Sequence, residues 1–71
     1  MYAVISNRNG TFHVDAEGFT NLKQAIVVYH DTCKTLWNAA DVLTGSVIIA
    51  NDGLFAVDGY REIITKDEQA G

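Results

Sequence analysis

Lys23, His30, Lys34 and Trp37 are the residues of this chain whose types and spacing point most directly to binding chemistry. On a helix advancing about 100° per residue, Lys23, His30 and Lys34 project within about 40° of one another, with Val27 among them and Trp37 beside them. Lysines attract phosphate or carboxylate as mobile point charges, and an indole offers a flat surface on which a purine stacks. The chain holds five Lys and Arg against nine Asp and Glu, and this is its basic cluster. The pattern predicts a site for a small anionic, nucleotide-like ligand. The plainer reading of the same residues is a solvated helix flank.

Other reactive residues lead less far. Cys33 is expected near the centre of the apolar stripe of that helix, where a thiol is buried and nothing lowers its pKa. His30 and Cys33 are three residues apart but about 60° apart around the helix, with no third ligand beside them, so no metal site is expected. His13 and Asp15 alternate along a strand, where a carboxylate orients an imidazole, but a nucleophile and a cleft are lacking. No Gly-rich phosphate loop or paired-acid motif occurs. The residues predict a protein that is not an enzyme and needs no cofactor.

Composition narrows the partners. A formal charge of −4 argues against duplex nucleic acid, whose phosphates are met by clustered Lys and Arg. No apolar run approaches the ~20 residues that span a bilayer, and the opening Met1-Tyr2-Ala3-Val4-Ile5 reads as strand rather than secretory signal. A cytoplasmic location is the expectation. Asn9-Gly10-Thr11 matches a glycosylation sequon, but turn chemistry explains it better. One cysteine in 71 residues leaves no internal disulfide, and a chain this short buries little core, which points to association with copies of itself.

The elements follow from punctuation and period. Strands over Tyr2 to Asn7 and Thr11 to Ala16 flank Arg8-Asn9-Gly10, a strong hairpin signal. In the second of them Phe12, Val14 and Ala16 form a dry face and Thr11, His13 and Asp15 a wet one. Gly18 is expected to break this strand. Thr20 or Asn21 caps a helix from Leu22 to Asn38 or Ala40, whose core stripe is Leu22, Ala25, Ile26, Tyr29, Cys33, Leu36, Trp37 and Ala40. Val47 to Ala50 and a strand opening at Leu54 form a second hairpin around Asn51-Asp52-Gly53, with a bulge at Gly59. The predicted class is α+β, in the order ββαββ: a four-stranded sheet, antiparallel or β-grasp-like, with one amphipathic helix on one face. A single domain over 1–65 and a frayed polar tail over 66–71 are expected.

The open face of such a sheet should be polar, and this one does not read so. Ile48 beside Ile49, Phe55 beside Ala56 and Ile63 beside Ile64 put apolar residues on both faces. Val27 and Val28 fall roughly 140° and 240° from the centre of the core stripe. Val27, Val28, Ile48, Ile49 and Phe55 are therefore expected at an interface between copies of the chain.

The stretch Gln24 to His30, with Cys33 and Leu36 to Val42, resembles small bacteriophage and prophage proteins that have no assigned active site. That resemblance implies a setting in a bacterial host. Proteins of this kind often inhibit host machinery, and some sequester nucleotide-derived immune signals as oligomeric sponges. The order hairpin, helix, hairpin also resembles the β-grasp arrangement of small immunoglobulin-binding domains. Together these suggest a non-catalytic, homo-oligomeric protein that sequesters an anionic nucleotide-derived ligand. The alternative is a module that binds or inhibits a host protein.

Overall fold

The computed structural model describes residues 1–66. Five elements follow in order: β1 (Tyr2–Arg8), β2 (Thr11–Phe19), α1 (Leu22–Asn38), β3 (Thr44–Asn51) and β4 (Ala56–Thr65). Positive φ at both Asn9 (53°) and Gly10 (93°) makes the first turn a two-residue hairpin turn, whose twist matches that of the flanking strands. Asn21 caps the helix, its side-chain oxygen accepting from the Lys23 amide at 2.8 Å. At the other end the Lys66 ammonium donates to the carbonyls of Leu36 and Ala39, where free carbonyls and the negative end of the helix dipole attract a cation. Lys66 is thus tied to the fold and not part of a frayed tail; residues 67–71 lie outside the described residues.

The strand order is β2-β1-β3-β4 with every neighbouring pair antiparallel. This is the antiparallel form of the expected ββαββ fold, and the β-grasp alternative, with its parallel central pair, does not occur. Since β2 and β3 both run antiparallel to β1, they run parallel to each other, and α1 carries the chain across β1 between them. No helix among the described residues is long and apolar enough to cross a membrane.

Strand period and pairing divide the sheet cleanly. Val4 opposes Ile49, Ser6 opposes Val47 and Gly45 opposes Ile64, and these form the face under the helix. Val4, Val47, Ile49 and Ile64 are fully buried there with Ala25, Tyr29 and Leu36. Each of the valine, leucine and isoleucine side chains among them contributes about 1.5–3 kcal/mol relative to exposure. Ile49 therefore belongs to the core of its own chain and not to an interface: one strand's successive residues face opposite ways, and Ile48 took the open side.

The helix is rotated from the expected stripe. Ala25, Tyr29, Thr32 and Leu36 point at the sheet, and Val28 packs half-buried against the core. Val28 is thus held within its own chain, while Val27 remains 62% exposed. Trp37 moves to the flank and Ala40 lies beyond the helix. Gly18 does not break β2; at φ 82° it sits in an irregularity of the β1–β2 pairing and the strand continues to Phe19. Gly59, at φ 86°, occupies the expected irregularity in β4. Leu54 and Phe55 belong to the turn before β4, where the Asn51 side chain accepts from the amides of Gly53 and Phe55.

Asn9 ties the first hairpin to the α1–β3 connection. Its side-chain Nδ2 donates to the Asp41 carbonyl at 2.7 Å, and its Oδ1 accepts from the backbone amides of Leu43 (2.8 Å) and Thr44 (3.2 Å). The sequon asparagine is therefore spent on structure. Asn9→Gly keeps the positive φ at little cost but loses all three bonds. The expected result is a loss of about 2 kcal/mol in urea unfolding; an unchanged midpoint would show that these bonds contribute nothing net.

Candidate functional site

Three surfaces carry chemistry beyond the core. The first is the helix strip. Lys23, His30 and Lys34 are all exposed along the solvent side of α1, as their spacing predicts. Trp37 is 42% exposed, and its indole N–H donates to Glu62 of β4 at 2.9 Å. The indole is thereby pinned over the β4 flank, but by a carboxylate, which opposes the lysines as an anion-attracting group. The strip forms a shallow basic surface with an aromatic border.

The second is the seam between α1 and β4. Tyr29 meets Tyr60 edge to face with ring centroids 5.6 Å apart, and His30 in the same manner at 5.2 Å. Burial, then the neighbouring Cys33, pushes the Tyr29 phenol up to about 12. Burial also raises the Cys33 thiol, against a hydrogen bond with Tyr29 that lowers it. Cys33 is half-buried and protonated at neutral pH, which suits packing and not nucleophilic attack.

The third is the open face of the sheet. Side chains of paired residues project to the same face. At one level lie Phe12, Asn7, Ser46 and Ile63, and at the next Val14, Ile5, Ile48 and Arg61, each named from the β2 edge to the β4 edge. Phe12 is 74% exposed, Val14 58% and Ile63 56%. Of the expected dry face of β2, Phe12 and Val14 turn away from the helix, while Ala16, beyond a shift in the β1–β2 pairing, opposes Val4 on the helix side. Beyond these two levels Ala3, Ala50, Glu17 and Leu54, with Ile5 of the second level at its edge, line a hollow of about 250 Å³. Phe55, 72% exposed, stands in the nearby turn.

Lys23, His30 and Lys34 lie exposed along one side of α1, the two lysines about 16 Å apart along its axis, with Trp37 at their margin and the hollow on the opposite side of the sheet. The signal for the open face is the alternation in β2 and β4: Ile63 beside Ile64 marks two apolar faces, whereas a period of two does not say which side Phe12 and Val14 take. Asp15 pairs with Arg8 at 2.7 Å instead of orienting His13, and its second oxygen is buried without a partner. Among the described residues no three His, Cys, Asp or Glu side chains gather to hold a metal. Comparison with protein-family models, curated proteins and solved structures finds no match to this chain.

The raised Tyr29 and Cys33 values fix a sign for alkaline stability. A proton held more tightly in the folded than in the unfolded chain gives stability that is complete below the unfolded pKa and lost as pH rises through the folded one. Cys33 begins this loss above 9.0, and Tyr29 continues it from 10.0 to about 12. The urea midpoint should fall across that range, and Tyr29→Phe should flatten its upper part. A midpoint independent of pH there would contradict the burial of the phenol.

Proposed function

We propose that this chain is a non-catalytic, phage-type binding protein that works as a homo-oligomer and sequesters a small anionic, nucleotide-derived ligand on its helices. The observation that carries the oligomer is the open sheet face, where Phe12, Val14 and Ile63 stand exposed around half-buried Ile5 and Ile48. Four strands about 4.8 Å apart and six residues at about 3.4 Å give this face roughly 400 Å² in projection. The apolar side chains share that area with Asn7, Ser46 and Arg61, and exposed apolar side chains grouped in this way suit a surface that meets a partner.

The ligand reading is supported by Lys23, His30 and Lys34, which share one exposed helix surface in a chain of net charge −4. Assembly through the sheet leaves each helix turned outward, so each copy carries its own strip. Ligand capacity then scales with chain number, as suits sequestration.

A panel of nucleotides and ADP-ribose derivatives should include one that raises the melting temperature progressively with concentration. Calorimetry with that compound should give one site per chain. Lys34→Ala should weaken it about tenfold, or ~1.4 kcal/mol, without changing the melting temperature of the free protein. Absence of any shift across the panel would remove the ligand reading. The exposed apolar face also suits docking on a host protein; a monomeric chain that stays indifferent to the panel would favour that second reading.

A further inference from the structure

We propose that two copies of this chain pair face to face through the open side of the sheet, about a two-fold axis parallel to the strands, so that β2 of each copy lies over β4 of the other. This rests on the association reading above and names its partner and geometry. The occupant of the face is a second copy because the face is complementary to itself.

The complementarity lies in the order of side chains across the strands. An axis along the strands lays the order β2-β1-β3-β4 over its reverse while keeping each level opposite itself. The first level reads Phe12, Asn7, Ser46, Ile63. Reversed upon itself, it sets Phe12 against the partner's Ile63 and Asn7 against the partner's Ser46. Apolar meets apolar at both edges, and an amide meets a hydroxyl in the middle. The second level reads Val14, Ile5, Ile48, Arg61. Here Ile5 meets the partner's Ile48 at the centre, and the stem of Arg61 lies along the partner's Val14.

Charge then selects between the axes available. Glu17 and Arg61 are both exposed. Arg61 shares the level of Ile5, while Glu17 lines the hollow with Ala3 about two residues further along, a separation of about 7 Å. Laid over β4 of the second copy, Glu17 comes within reach of the partner's Arg61, and the two-fold makes this contact twice. An axis across the strands instead superposes each strand on its own copy, which keeps Glu17 of β2 and Arg61 of β4 on opposite edges wherever the axis lies, and opposes Arg61 to the partner's Arg61 where it passes at their level. The two sheets stack about 10 Å apart with strands near alignment, as in a β-sandwich. The small side chains of Ala3 and Ala50 leave the hollow open to water at one end.

Charge reversal tests the axis directly. Light scattering at tens of micromolar should give twice the chain mass of 7.8 kDa for the unaltered protein. Glu17→Arg and Arg61→Glu alone should each raise the dissociation constant about tenfold or more. Both together should restore it to within about threefold, since the two pairs re-form with their charges exchanged. Both side chains are exposed, and an unaltered circular dichroism spectrum verifies the fold of each variant. Dimers in the unaltered protein with no rescue in the double variant overturn the axis and leave the association reading standing. A monomer at these concentrations overturns both.

Discussion

One helix of 17 residues is about 25 Å long and roughly 10 Å wide, and here it must serve a sheet of four strands. It covers one side of β1 and β3, where Val4, Val47 and Ile49 are fully enclosed beneath Ala25, Tyr29 and Leu36. Everything distinctive about the molecule follows from what this helix does not cover. The edge strands β2 and β4 gain only partial shelter, and the far face gains none. Among the described residues no further element lies over it, so the far face is open to water or to another molecule.

The anchors of the fold are correspondingly local and polar. Asn9 ties the hairpin turn to the α1–β3 connection, Asn21 closes the start of the helix and Lys66 its end. Each satisfies backbone groups that a short element leaves without partners. Together they fix the ends of β1, α1 and β4 in the absence of a disulfide. Arg8 and Asp15 add an ion pair beside the buried Ser6, and Glu62, which opposes Val47, brings a further charge to the helix side of the sheet.

Division of the molecule into two sides also separates its two candidate roles. Lys23, His30 and Lys34 occupy the outer surface of α1, while Phe12, Val14 and Ile63 occupy the opposite side of the sheet. A pocket built by pressing a second copy onto the helix strip is therefore not what the apolar face offers. Association through the sheet and ligand capture on the helix are compatible because neither surface obstructs the other.

The sequence by itself determined the elements and their order. Asn9-Gly10 demands a tight turn, Asn21 stops the strand and starts a helix, and doubled apolar residues in β3 and β4 require two apolar faces whatever the topology. It also determined that Lys23, His30 and Lys34 share a surface, since helical period alone places them. Tertiary structure decided which side each strand presents to the helix. Strand period is two, and an alternation such as that of β2 reads identically facing in or out. Hence Phe12 and Val14 lie open although they form the drier face of their strand, and Ile49 is core where Ile48 is not. It decided the strand order as well, because hairpin signals are local and the choice of β3 as the second neighbour of β1 is made by long-range pairing. The rotation of the helix, which hides Thr32 and turns out Trp37, follows from where the sheet surface lies under it.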